Sequence, residues 1–120
     1  MNGKYQNSIV ERLLDYAVNV IKLAGKLPKS ALGSHINGQL TRSGTSAGSN
    51  YEEACGAESR ADFIHKMGIV LKELKESRYW LKLINRSGII KDDNMPALIN
   101  ETEELCKIIA QSIITAKSKI

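Results

Sequence analysis

Between Gln39 and Glu53 the chain reads QLTRSGTSAGSNYEE, a run that fits best on a helix packed closely against its neighbours. On a helix turning about 100° per residue, Arg42, Ser46, Asn50 and Glu53 fall within about 80° of one another, with Gln39 in the same sector. They form a polar stripe. Leu32, Ile36, Leu40, Ala47, Tyr51 and Ala54 run beside it as an apolar strip, so the stripe is expected at the edge of a packed face. The remaining positions are small: Gly38, Ser43, Gly44, Ser46, Gly48 and Ser49. Each glycine inside a helix costs about 1 kcal/mol relative to alanine, so Gly38, Gly44 and Gly48 together predict close approach by neighbouring helices. A flexible Gly/Ser linker is the competing reading, and the regular apolar spacing speaks against it.

The flanking sequence repeats the helical period. Ser8-Ile9-Val10-Glu11 matches a capping box, and Val10, Leu13, Leu14, Ala17, Val20, Ile21, Ala24 and Leu27 follow at three- and four-residue steps, predicting a helix over 9–27 that Pro28 closes. The second helix is expected over 30–55. The third, over 60–87, is capped by Ser59-Arg60-Ala61-Asp62 and carries Phe63, Met67, Val70, Leu74, Leu81 and Ile84 on one face. A fourth helix over 96–118 presents Leu98, Leu105, Ile109, Ile113 and Ala116, widened by Ile99, Ile108 and Ile114. No segment alternates with the period of two that marks a half-buried strand. With 120 residues to fill one core, the reading is a single all-α domain, an up-down-up-down antiparallel four-helix bundle.

The composition excludes several classes of function. No apolar run approaches the roughly 20 residues of a membrane span, and MNGKYQNS lacks the apolar core of a signal peptide, so the protein is expected in the cytoplasm, off the membrane. Cys55 and Cys106 are then expected as reduced, buried, small apolar residues. The glycines have no preceding strand and no Gly-Lys-Ser/Thr, which removes a phosphate-binding loop. His35 and His65 lack metal-ligand spacing, and no Glu-x-x-His is present for a di-metal bundle. No cofactor, metal or catalytic residue is therefore expected. Glu73 and Glu76 face the direction of Arg42 on the neighbouring antiparallel helix and are read as structural ion-pair partners, with general acid/base work as the lesser alternative.

The third helix has three distinct faces. Lys72, Lys75, Arg78, Lys82 and Arg86 project within about 120° of one another as a basic stripe, a candidate for phosphate contacts in a chain of net charge +4; a solvated helix face is the plainer alternative. Ile69, Trp80 and Leu83 lie on a further side, as core or as an oligomer interface.

The run QLTRSGTSAGSNYEEACGAESRADFIHKMGIVLKELKESRYWLKLI resembles the bacterial four-helix-bundle proteins first known as reading frames inside intervening sequences of 23S rRNA genes. Gln39, Leu40, Arg42, Ser46, Asn50 and Glu53 match that family's second helix, and Phe63, Ile64, Lys72, Glu73, Glu76, Tyr79, Trp80 and Leu81 its third. Glu53-Ala54 departs from the Glu-Gly of many members. The resemblance implies a homo-oligomer, commonly a homopentamer, and kinship with the basic accessory rings of diversity-generating retroelements, which work with a reverse transcriptase and nucleic acid. It supplies no catalytic residues. The resulting expectation is a non-enzymatic oligomer that binds structured RNA, a ribonucleoprotein or a nucleic-acid-handling protein through basic surface, with a protein–protein interaction scaffold as the alternative.

Overall fold

The computed structural model describes residues 2–119. Four helices follow one another, α1 Asn2–Ala24, α2 Ala31–Cys55, α3 Arg60–Ser87 and α4 Met95–Ser118, with no strand among the described residues. They pack as an up-down-up-down antiparallel four-helix bundle in which α1 meets α2, α2 meets α3, α3 meets α4, and α4 returns to α1 along a looser edge. The bundle is long, 48 × 25 × 19 Å, and its radius of gyration of 15.1 Å exceeds the about 14 Å typical of a compact chain of this length.

Local chemistry sets the ends. Ser30 and Ser59 sit in extended backbone and accept hydrogen bonds from the Gly33 and Asp62 amides at 3.1 and 3.0 Å, each satisfying an otherwise free amide at a helix start. Gly88 closes α3 with φ 69°, a left-handed conformation that glycine adopts without a Cβ clash. α4 begins one residue before Pro96, where a missing amide hydrogen is harmless.

Several expectations are corrected, beginning with the helix ends. Ser8 is not a helix start, because α1 is already helical from Asn2; a capping box needs a preceding residue outside the helix, and no proline precedes Ser8 to force one. α1 also stops at Ala24 rather than Leu27. The chain there tightens into three-residue turns, Lys26 to Leu23 and Leu27 to Ala24 at 3.0 and 3.1 Å, which still deliver Leu27 to the core. Leu32 leaves the α2 apolar strip and is 60% exposed; in this first turn it is Gly33 that meets the preceding chain, so closely that an added Cβ would lie 1.8 Å from the Pro28 carbonyl oxygen.

Leu13, Tyr16, Val20, Leu40, Ala47, Val70, Leu74, Leu81, Ile84, Leu105 and Ile109 fill the core at 1% exposure or less. Leu14, Ile21 and Ile114, expected inside by their spacing, are 56, 52 and 59% exposed. Their helices carry wider apolar arcs than two neighbours can cover. Cys55 is likewise exposed rather than buried, while Cys106 is buried, and both are free.

The glycines of α2 do not act alike. At Gly44 an added Cβ would come 2.7 Å from Val20 Cγ1, whereas at Gly48 it would make an ordinary 3.5 Å contact with Leu13 Cβ. At Gly38 it would meet nothing within 4 Å, so close approach explains Gly44 and not Gly38.

Candidate nucleic-acid interface

α3 organises the charged surface because it contacts α2 on one side and α4 on the other. Its inward row, Met67, Val70, Leu74, Ser77, Leu81 and Ile84, is buried. On the α2 side, Arg42 reaches across: its Nη1 lies 3.2 and 3.3 Å from the two Glu73 carboxylate oxygens, and its Nη2 donates to Glu76. Hydrogen bonding from Arg42 holds the Glu76 carboxyl below its usual range, helped by a bond from Trp80 and by the charges of Arg42 and Lys72. The Trp80 Nε1–H donates to the same Glu76 oxygen at 3.3 Å, and the half-buried indole stands edge-on to His35, ring centroids 5.8 Å apart.

The rest of the α2 polar stripe stays on its own helix. Asn50 donates to the Ser46 carbonyl at 2.8 Å, Gln39 and Ser46 are half-buried, and Glu53 is exposed. The structure thus joins Arg42, Glu73 and Glu76, but not the other members.

The basic stripe divides into two parts. Lys82 lies 3.5 Å from Glu103 of α4, and the half-buried Arg78, with Lys75, is close enough to Cys106 to oppose the rise in its pKa that burial causes. Lys72, Lys75 and Arg86 are exposed, and neither they nor Arg78 form an ion pair among the described residues. Ile69 is half-buried beside Trp80's side of the helix, and Leu83 is 37% exposed.

A groove of about 660 Å³ between α1 and α4 is electrostatically different. Its Lys26 pairs with Asp92 at 2.7 Å and its Arg12 with Glu101 at 2.6 Å, so two of its three cations are already matched and acidic Asp15 stands beside them. No three His, Cys, Asp or Glu side chains among the described residues are grouped to hold a metal ion. No described helix is long and apolar enough to cross a membrane.

Two features were missed in the sequence. One is a chain of buried hydroxyls drawn from all four helices. Ser43 of α2 and Ser77 of α3 are 2.9 Å apart, Thr102 of α4 is 2.8 Å from the Tyr16 hydroxyl of α1, and Ser77 faces that same phenol. Ser77 and Thr102 also bond the Glu73 and Leu98 carbonyls, so no buried side-chain polar atom among the described residues lacks a partner. Burial pushes the Tyr16 phenol up to about 12 against the pull of Thr102 and Ser77. The available signal was position: each hydroxyl stands in its own helix's apolar period. The other feature is a row on α1, Leu14, Val18 and Ile21, exposed at 56, 41 and 52%.

Together these features define a small four-helix-bundle protein with a charged α2–α3 seam, a basic face on α3 and an apolar row on α1. Residues 5–111 match the family described as 23S rRNA-intervening sequence protein, and the chain belongs to that family. It is also similar to the 1.70 Å crystal structure of a protein with unknown function from the S23 ribosomal protein family of Bacteroides thetaiotaomicron VPI-5482, with 36% identity over 90% of this chain and 96% of that one and a TM-score of 0.81. Comparison with curated proteins finds no match.

Proposed function

We propose that the protein is a non-enzymatic, self-assembling cytoplasmic bundle that binds structured RNA, alone or within a ribonucleoprotein, on the basic face of α3. The observation that carries this reading is the exposure of Lys72, Lys75 and Arg86 on one side of α3 without ion-pair partners among the described residues. Unpaired cations are free to neutralise phosphates and release counterions, an attraction that positions RNA without reading its sequence. The family's name, which ties it to intervening sequences of 23S rRNA, supports RNA as the polyanion.

Light scattering on purified protein, with the absorbance ratio of the eluted peak before and after nuclease and high salt, tests assembly and cargo together. An oligomer carrying salt-releasable RNA is expected. The double variant Lys75→Glu, Arg86→Glu is expected to weaken RNA binding at low salt roughly tenfold or more and to flatten its salt dependence. Absence of RNA binding at low salt, or binding unchanged by salt, overturns the reading. The exposed α1 row favours a second reading, a protein-interaction scaffold whose charge serves solubility; a clean oligomer that takes up no added RNA would establish it instead.

A further inference from the structure

Tyr79 lies inside the basic face and is the only aromatic among the exposed large hydrophobic side chains of the described residues, at 59% exposure. At about 100° per residue it projects within about 60° of Lys72, Lys75, Lys82 and Arg86. With a rise of about 1.5 Å per residue, Lys75 stands about 6 Å before it along the axis and Lys82 about 4.5 Å after, with Lys72 and Arg86 about 10 Å away at either end. The ring is the midpoint of a cationic row.

The ring has an aromatic neighbour on its own helix. Tyr79 meets Trp80 edge-to-face, centroids 5.1 Å apart and planes at 78°, so this contact covers at most one face of the phenol. Trp80 is itself tied to Glu76 and packed against His35. An aromatic ring needs few torsions fixed to present a flat surface, and every nucleobase has a complementary one. Bases inside a duplex are already stacked on each other, whereas bases in loops and bulges can be splayed onto a protein ring.

We propose that Tyr79 is a stacking platform for an unpaired base of the bound RNA, with Lys72, Lys75 and Arg86 holding the neighbouring phosphates. This rests on the RNA-binding reading and narrows it from a helix surface to a loop, bulge or single-stranded segment. RNA held through its phosphates alone, with no base on the ring, is the outcome the test distinguishes.

The probes are a fluorescently labelled RNA hairpin with an unpaired loop and the blunt duplex of its stem, titrated at low salt with the full chain. Tyr79→Ala is expected to weaken hairpin binding about tenfold, Tyr79→Phe to leave it unchanged, and both to leave duplex binding unchanged. Wild-type hairpin affinity in Tyr79→Ala, or an equal loss for hairpin and duplex, overturns the stacking role. Unchanged duplex binding shows that Tyr79→Ala is folded, and the Phe variant, which keeps the ring and removes only the hydroxyl, assigns the effect to the ring. Lys75→Glu, Arg86→Glu separates the two levels: if it weakens both RNAs while Tyr79→Ala weakens neither, stacking alone fails. If the charge variant also binds like wild type, the RNA reading fails with it.

Discussion

At Gly44 and Gly38 the same residue type carries opposite consequences. A Cβ at Gly44 collides with Val20, which is β-branched, fully buried and unable to swing aside, so Gly44→Ala is expected to destabilise by about 1–3 kcal/mol. Gly38→Ala meets open space and removes glycine's entropic cost, so it is expected to stabilise by about 0.5–1 kcal/mol. Urea unfolding of the two variants checks both signs. The sequence shows Gly38, Gly44 and Gly48 as one small-residue pattern because spacing gives the angle around a helix, not the distance to the next one. The pairing of the buried hydroxyls was illegible for a related reason: Ser43, Ser77, Tyr16 and Thr102 each sit in an apolar period but are far apart in the chain, and only packing converts four core-facing polar groups into partners. Tyr16→Phe is expected to cost about 1–2 kcal/mol near neutral pH by breaking that chain. The fold raises the Tyr16 pKa from 10.0 to about 12, so its neutral form contributes stability that is full below pH 10 and is lost as pH rises through about 12. Alkaline unfolding of Tyr16→Phe should therefore fall less steeply over that window than the wild type's.

Among the elements, α2 and α3 are the pair whose register was most readable. Arg42 on the second helix and Glu73 and Glu76 on the third follow from helical angle and antiparallel direction, and the structure joins them. The ends of α1 were not readable, because a Ser-x-x-Glu pattern signals a start only when the residues before it leave the helix. The Arg42 seam gives a pH test of its own. A depressed carboxyl such as Glu76 contributes stability that is present above its unfolded pKa, near 4.5, and is lost as pH falls through the lower folded value. Arg42→Ala is expected to destabilise near neutral pH and to lose most of that effect in acid, where Glu76 is protonated in both states. The Arg42 and Glu76 side chains are 46 and 29% exposed, so solvent screening limits each pair to less than about 1 kcal/mol. Unfolding of wild type and Arg42→Ala across acid pH checks this; an equal difference at every pH would assign the cost to lost packing of the Arg42 stem instead.

A bundle 25 Å and 19 Å across its short axes has much surface for its volume, and whatever apolar arc exceeds its core faces solvent. On α1 the arc includes Leu13, Val20 and Leu23 inward and Leu14, Val18 and Ile21 outward. Periodicity marked the helix as amphipathic but could not show which edge of so wide an arc is covered, since that depends on where α2 and α4 lie. The exposed edge has i, i+4, i+7 spacing, which makes one continuous ridge about two turns long, and a ridge of this kind is suited to packing against another helix. Under the proposed self-assembly, a second copy covers it. Val18→Glu with Ile21→Glu places charges on the ridge while leaving Leu13, Tyr16 and Val20 in place, so helical content is expected to be retained and the particle seen by light scattering to fall toward the 13.2 kDa single chain. If the variant keeps both its helicity and the wild-type mass, the copies meet elsewhere, and the Trp80 and Leu83 side of α3 becomes the surface to charge next. If it keeps its helicity, becomes monomeric and loses RNA affinity, while Lys75→Glu with Arg86→Glu loses RNA affinity as an intact oligomer, assembly and RNA binding occupy different faces of the bundle and the oligomer's role is to multiply weak basic faces into one avid surface.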